Sequence, residues 1–159
     1  MAPNQEIKMT QEGIDTLKEE LAYRSGELTH NIVQRLKEAR AQGDLSENSE
    51  YDDAKEAQAS NEARILEIQE ILKYAVAGDQ GTSQKGHIGL GSVIVVKDIA
   101  IDKDTEYKLV SAQEADTYHG KLSISSPLGE AVEGKKVGDV VAIHAPIGEL
   151  KYKIVQVLK

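Results

Sequence analysis

Cysteine, phenylalanine and tryptophan are all absent from this 159-residue sequence. Without cysteine the chain can form neither a disulfide framework nor a thiolate metal site, which is typical of proteins in a reducing, intracellular compartment. Because tyrosine is the only aromatic residue type, a pocket built on aromatic walls is disfavoured. These absences exclude the disulfide-rich class of small proteins.

Long apolar runs are also missing, since none approaches the roughly 20 residues that a membrane-spanning helix needs. The N-terminal residues have neither the basic segment nor the apolar core of a signal peptide. The net charge of −8 disfavours autonomous binding to nucleic acid, because phosphate neutralisation supplies most of that affinity. The sequence therefore predicts a cytoplasmic protein without membrane contact, which meets nucleic acid when a partner brings it there.

Charge is distributed unevenly along the chain. Residues 1–80 carry 9 lysines and arginines against 17 acidic residues, whereas residues 81–159 carry 10 of each. Five glycines lie between residues 76 and 91, which is typical of a linker. We therefore predict two domains, residues 1–78 and 79–159, with a linker at about residues 76–91.

The first half has the apolar periodicity of helices. From Thr10 to about Gln42, apolar residues recur on one helical face at steps of 3, 4, 7, 4 and 4 residues. They are Ile14, Leu17, Leu21, Leu28, Ile32 and Leu36. Thr10 is a suitable N-cap and Gly43 a suitable residue to end a helix. We predict one helix between them.

A second helix is predicted from a stricter spacing of alternating steps of 3 and 4, which is the spacing of a heptad seam. Its seam residues are Tyr51, Ala54, Gln58, Asn61, Ile65, Ile68, Leu72 and Ala75. Asn61 is a polar seam residue of the kind that fixes register, and Gly78 and Gly81 close the helix. Two such helices joined by a short turn predict an antiparallel coiled-coil hairpin.

The second half predicts a small α+β domain. Candidate strands cover residues 92–97, 106–111, 121–125, 139–145 and 149–158, and the last shows clear apolar–polar alternation. Pro127 is placed to begin a short helix, with a cap role expected for the adjacent Ser126. About 70 residues suffice for a modest core.

An acidic turn connects the two predicted helices. Its carboxylates are Asp44, Glu47, Glu50, Asp52 and Asp53. Asp44 and Glu47 have capping-box spacing, in which Asp44 would cap the second helix and Glu47 would bond back to it. The other three exceed what capping requires. The alternative is magnesium chemistry, because Mg²⁺ prefers carboxylate oxygens and is usually held by one or two carboxylates plus phosphates.

Two groups of short motifs extend across nearly the whole chain. The first is Met9-Thr10, Gly13, Leu17, Glu20-Leu21, Glu38-Ala39-Arg40, Gly43-Asp44-Leu45, Glu47-Asn48 and Glu50-Tyr51. The second is Ser125-Ser126-Pro127-Leu128-Gly129, Gly134-Lys135 and Gly138-Asp139. Together they resemble the bacterial transcription elongation factors of the Gre type. The motif of the acidic turn, which we call the tip motif and which runs from Gly43 to Tyr51, is the specific part. Ser46 stands where many members have lysine.

The resemblance implies an N-terminal coiled-coil hairpin followed by a small FKBP-like α+β domain that docks on RNA polymerase. The hairpin would enter the polymerase's secondary channel and stimulate the polymerase's own cleavage of backtracked RNA, so the chain would not itself be an enzyme. Asp44 and Glu47 would be the catalytic acidic pair and would share a magnesium ion with the polymerase. Arg40, Lys55 and Tyr51 lie near the tip and are candidate contacts to the RNA 3′ end. We expect a monomer.

Several alternatives stay open at this point. Arg40 and Lys55 could be ordinary solvated charges, and Tyr51 could serve only for seam packing. A hairpin of this kind could also inhibit the polymerase by blocking its channel and chelating its metal. A prolyl isomerase, which the FKBP-like resemblance brings to mind, is disfavoured because phenylalanine and tryptophan are missing.

Overall fold

The computed structural model describes residues 5–43 and 48–159. The chain forms two compact units. The first comprises residues up to Ile7 together with Ile14–Ala75, and the second comprises Lys8–Gly13 together with Val76–Lys159. Within residues 5–43 and 48–159, no helix is long and apolar enough to span a bilayer.

The long helical stretches, the later five strands and the short helix among them follow one another in the predicted order, and two short strands and a π-helical segment are additional to the prediction. The helices are α1 (Gln11–Tyr23), α2 (Thr29–Ala41), α3 (Ser49–Tyr74) and α4 (Pro127–Val132), and a π-helical segment (Arg24–Leu28) joins α1 to α2. The strands are β1 (Ile7–Met9), β2 (Ala75–Ala77), β3 (Val93–Asp98), β4 (Lys103–Val110), β5 (Lys121–Ser123), β6 (Val140–Ala145) and β7 (Gly148–Val157).

The first unit is an antiparallel helical hairpin, as predicted. Arg24 contacts Asn61 near the middle of α3, whereas Ala39, farther along the first arm, contacts Asn48 just before α3 begins. The predicted stripes are buried or half-buried, and Ile32 and Ile68 retain 3% and 0% exposure. Apolar burial between the two arms therefore stabilises the hairpin, as expected for helices of this length.

The prediction of one uninterrupted helix before the turn is wrong in one detail. The five residues Arg24–Leu28, which we call the π segment, depart from α-helical geometry between α1 and α2. A π turn holds an additional residue, so it rotates the following helix relative to the preceding one. The apolar stripe shifts by one residue across the π segment, which is the physical reason for the interruption.

The predicted end of the second helix is also wrong. α3 ends at Tyr74, and Ala75, predicted as the last seam residue, begins β2. β2 pairs with β1, and beyond it the Gly78 N–H donates to the Met9 carbonyl at 2.9 Å. The helix therefore ends where β2 pairs with the N-terminal strand β1, before it reaches Gly78 and Gly81, the residues predicted to close it.

The second unit is built on a five-stranded sheet of order β5-β4-β3-β7-β6, consistent with the predicted α+β class. Neighbouring strands are antiparallel except for β4 and β5, which are parallel. The core consists of Ile88, Ile94, Val96, Leu109, Leu122, Leu128, Val132, Val141 and Ile154. The Ser126 hydroxyl accepts from the Gly129 N–H at 3.1 Å, which confirms its predicted cap role at α4.

Residues 76–91, predicted as a linker, are packed into the second unit. Ile88 is 2% exposed and belongs to the core. The Gly81 N–H donates to the Leu90 carbonyl, and the Gly91 N–H donates to the Leu109 carbonyl. The glycines permit tight turns here, with positive φ at Gly81 and Gly91, so their number does not indicate an open connection.

Glu114 ties the first turn of α1 to the loop after β4, within the second unit. Its carboxylate accepts from the N–H and hydroxyl of Thr10 and from the N–H and hydroxyl of Ser111. The Thr10 hydroxyl oxygen accepts from the Gly13 N–H at 3.0 Å, which confirms Thr10 as the N-cap. A Cβ on Gly13 would overlap the Glu114 carboxylate, so a larger residue here would displace that carboxylate from its hydrogen bonds.

Candidate functional site at the end of the helical hairpin

The candidate site is the end of the hairpin, where α2 gives way to α3. α2 ends at Ala41, Gln42 follows it, and Gly43 has a φ of 110°, a left-handed conformation that glycine adopts without strain. This confirms Gly43 as the glycine that ends the helix. The predicted acidic pair, Asp44 and Glu47, lies outside the described residues.

Asn48 bonds to both arms of the hairpin. Its side-chain Oδ1 accepts from the Tyr51 N–H at 3.1 Å, and its Nδ2 donates to the Ala39 carbonyl at 2.6 Å. The first bond satisfies a free N–H at the start of α3. The second is an additional bond to the Ala39 carbonyl, which also accepts from the Gln42 N–H at 3.3 Å. One amide therefore fastens the two helix ends to each other.

Asn48 is the N-cap of α3, in extended conformation with a φ of −89° and a ψ of 92°. The capping-box interpretation assigned this position to Asp44. α3 begins at Ser49, so its N-cap position lies four residues after Asp44. Asn48 therefore caps α3 in place of Asp44.

Arg40 and Tyr51 are brought together across the hairpin. The Arg40 guanidinium lies 5.9 Å from the centroid of the Tyr51 ring, within the range of a cation–π interaction. Tyr51 is half-buried, as expected for a seam residue, whereas Arg40 is exposed. Beneath them the small residues Ala39 and Ala54 are 3% and 0% exposed, which allows the two backbones to approach closely.

Lys55 lies one helical turn after Tyr51, so the two residues share a face of α3. The ammonium group is exposed and lies 3.4 Å from the Gln58 side-chain oxygen. Lys55 and Arg40 thus extend along neighbouring parts of the hairpin end. The three predicted RNA contacts lie within a few turns of one another.

Acidic side chains surround this end of the hairpin. Glu50, Asp52 and Asp53 are all exposed, and Glu50 and Asp52 lie in the first turn of α3, where negative charge interacts favourably with the helix dipole. A shallow cavity of about 260 Å³ lies between the arms. It is lined by Arg35, Glu38, Ala39, Gln42, Glu50 and Asp53.

Comparison with known proteins identifies the family. Residues 7–76 match the family model for the N-terminal part of transcription elongation factors GreA and GreB, and residues 83–159 match that for their C-terminal part. The chain belongs to the GreA/GreB family of transcription elongation factors. This confirms the family that the motifs predicted.

Relatives in the GreA/GreB family match the chain over nearly its whole length. Transcription elongation factor GreA of Clostridium botulinum (strain Langeland) is 41% identical over 157 residues, which is 99% of this chain and 98% of the relative. GreA of Clostridioides difficile is 40% identical over 157 residues and 99% of both chains. The crystal structure of GreA factor homolog 1 of Thermus thermophilus is 30% identical, covers 98% of this chain and 100% of its own, and has a TM-score of 0.44.

The residues at the hairpin end bear on the predicted magnesium site. Among residues 5–43 and 48–159, no three histidine, aspartate or glutamate side chains are grouped so that they could hold a metal ion. Mg²⁺ is commonly held by one or two carboxylates when phosphates and water complete its coordination. Asp44 and Glu47 lie outside these residues, so the magnesium site stays a prediction.

A separate ion-pair network lies in the middle of the hairpin. The Glu20 carboxylate accepts from the Nε and Nη2 atoms of Arg64, both at 3.0 Å, and from Arg24 Nε at 2.9 Å. Hydrogen bonding from Arg64, assisted by Arg24, lowers the pKa of Glu20 below its ordinary value. The same contact raises the pKa of Arg64. The network joins the first arm to α3 at a point distant from the hairpin end.

Asn48 is the residue of the candidate site that the sequence-based interpretation missed. It lies within the tip motif, but the carboxylate pair beside it drew the cap assignment. Asparagine is among the most favoured N-cap residues, and Ser49 begins an uninterrupted helical stretch, so the cap could have been found from the sequence. Its bond to Ala39 could not, because that contact depends on the hairpin geometry.

Proposed function

We propose that this GreA/GreB family member binds RNA polymerase and inserts its helical hairpin into the polymerase's secondary channel. There it stimulates the polymerase's own endonucleolytic cleavage of backtracked RNA. The observation that carries the proposal is the fastening of α2 to α3 by Asn48. The Asn48 side chain joins the end of α2 to the start of α3, and Asp44 and Glu47 lie between these two helices in the sequence.

In this proposal Asp44 and Glu47 donate carboxylate oxygens to a magnesium ion whose remaining ligands come from the polymerase and the RNA. When bound, the ion supplies an activated water for in-line attack and neutralises developing charge on the phosphate. This chain is then not an enzyme by itself, because its two carboxylates are too few to hold the ion.

Arg40, Lys55 and Tyr51 are proposed contacts to the RNA 3′ end. The two cations would attract the phosphate backbone that the net charge of the chain would otherwise repel. The Tyr51 ring would support the Arg40 guanidinium from its present position, 5.9 Å away. If an RNA base took the place of the Arg40 guanidinium, it would stack on the Tyr51 ring.

We further propose that the two predicted domains have different roles in binding the polymerase. Residues 1–78 reach into the channel as a monomeric arm. Residues 79–159, for which we propose an FKBP-like fold, dock on the rim of the polymerase. The five-stranded sheet with α4 is compatible with that fold class.

The test measures release of short 3′ RNA fragments from a backtracked elongation complex in the presence of magnesium. Asp44→Asn and Glu47→Gln remove charge with little change in volume. Each is expected to reduce cleavage by a hundredfold or more, in the range of losing a catalytic electrostatic group, with polymerase binding retained. Glu50→Gln and Asp52→Asn are matched controls in the same acidic turn and should cleave within a few-fold of the natural chain.

Other outcomes identify the alternatives. Slowed RNA synthesis without fragment release would show a channel-blocking inhibitor instead. Retained cleavage together with a lower melting temperature for Asp44→Asn would show that the carboxylate serves the fold and not the reaction.

A further inference from the structure

The apolar stripe of the first arm contains one residue more than a regular heptad allows. Heptad spacing continued beyond Leu21 and Leu28 leads to Asn31, Arg35 and Glu38, all of which are polar and exposed. The residues that turn toward the other arm are the next ones in each case, Ile32, Leu36 and Ala39. The stripe therefore skips one position in the middle of the hairpin.

The π segment lies just before this skip. Because a π turn closes with one more residue than an α turn, it lets the stripe resume on the correct side of the helix. If the heptad seam continued without it, Arg35 and Glu38 would face the partner arm, at a cost in desolvation. The π segment thus brings apolar residues of α2 into the interface with α3.

Asn61 of α3 contacts residues at and just beyond the two ends of the π segment. Its Nδ2 donates to the Arg24 carbonyl at 3.0 Å and to the Thr29 hydroxyl at 3.1 Å. Its Oδ1 accepts from the Arg24 guanidinium at 3.3 Å, and the Thr29 hydroxyl also donates to the Arg24 carbonyl. Asn61 is 4% exposed, whereas Arg24 and Thr29 are half-buried.

The ion-pair network continues this arrangement along the first arm. Arg24, which bonds to Asn61, also donates to the Glu20 carboxylate, and Glu20 receives two bonds from Arg64. Both arms are therefore joined by polar contacts on the N-terminal side of the π segment. Beyond Thr29, α2 buries the apolar residues Ile32 and Ala39, and a polar contact to α3 returns at the hairpin end, where Arg40 lies against Tyr51.

We propose that Asn61 is a positioning residue that holds the π segment in place and thereby sets which face α2 turns toward α3. The contacts at the hairpin end depend on which face α2 turns toward α3, because Ala39 and Arg40 follow the π segment along the chain. The proposal concerns the helix register and does not rest on the proposed function.

A double-mutant cycle in the full chain tests the proposal. Deletion of Gly26, an exposed residue where a side chain would face open space, removes the additional residue. Ile32, Leu36 and Ala39 then fall on the heptad positions set by Ile14, Leu17 and Leu21 without a π turn, and Thr29 takes the seam position of Leu28. Asn61→Leu leaves the Arg24 carbonyl and the Thr29 hydroxyl without their amide partner in the natural chain, but packs as a seam leucine in the deletion chain.

The measured quantity is the melting temperature of the helical signal at 222 nm. Asn61→Leu is expected to lower it by about 4 °C or more in the natural chain, and to leave it unchanged or raise it in the deletion chain. An equal change in both chains would overturn the proposal. Gln58→Leu is the matched control, since Gln58 lies three residues earlier in the same seam, and its effect should not depend on the deletion.

Amide hydrogen exchange keeps the test decisive if the deletion chain does not fold. With Gly26 in place, Asn61→Leu should increase exchange across residues 24–29 by about tenfold or more relative to Gln58→Leu. Equal exchange rates in the two variants would show that Asn61 does not hold the π segment.

Discussion

Removal of the Asn48 side chain should weaken the hairpin at its end. Asn48→Ala deletes both the cap on the Tyr51 N–H and the bond to the Ala39 carbonyl. Asn48→Ser keeps an oxygen that can cap α3 but has no amide that can reach the other arm. The two variants therefore separate the cap from the link between the helices.

The magnitude follows from the two bonds. Loss of an N-cap costs about 1 kcal/mol, and loss of a hydrogen bond to a backbone carbonyl costs about another 1 kcal/mol. We expect Asn48→Ala to reduce the free energy of unfolding by about 2 kcal/mol. Asn48→Ser should lose about half as much, because it gives up only the bond to Ala39.

Urea unfolding followed at 222 nm measures these differences. The free energy of unfolding falls by about 2 kcal/mol per molar urea. The urea concentration at the unfolding midpoint should therefore fall by about 1 M for Asn48→Ala and by about 0.5 M for Asn48→Ser. Ser60→Ala, at an exposed position within α3, is the control and should leave the midpoint nearly unchanged. Equal midpoints for Asn48→Ala and the natural chain would refute the reasoning, as would a serine variant as unstable as the alanine variant.

Two further predictions concern other parts of the chain. Gly13→Ala should lower the free energy of unfolding by about 2 kcal/mol or more, since its Cβ would displace the hydrogen-bonded Glu114 carboxylate; an unchanged melting temperature would contradict this. The Glu20–Arg64 contact should make the hairpin less stable in acid. The pKa of Glu20 is lowered on folding, so its contribution is present above its ordinary value of 4.5 and is lost as pH falls below that value. Glu20→Gln should flatten the dependence of melting temperature on pH between about 5 and 3, whereas the exposed neighbour substitution Glu19→Gln should retain the dependence of the natural chain.

The sequence by itself determined the two long helical stretches, α4 and the five strands of the second unit, but not β1, β2 or the π segment. The stripe through Leu17 and Ile32 and the alternation along β7 arise from local periods of the chain, and each was predicted within a few residues of its observed place. The caps at Thr10 and Ser126 also follow from short-range chemistry. The motifs sufficed for the family, and the catalytic role of Asp44 and Glu47 stays a prediction.

Only the tertiary structure decided how distant residues complete these elements. The end of α3 depends on the strand pairing of β2 with β1, and the π segment depends on an amide from the opposite arm. The same holds for Asn48, whose second bond reaches across the hairpin, and for Ile88, which draws a glycine-rich segment into a core. In each case the deciding contact joins residues far apart in sequence, so no local pattern could specify it.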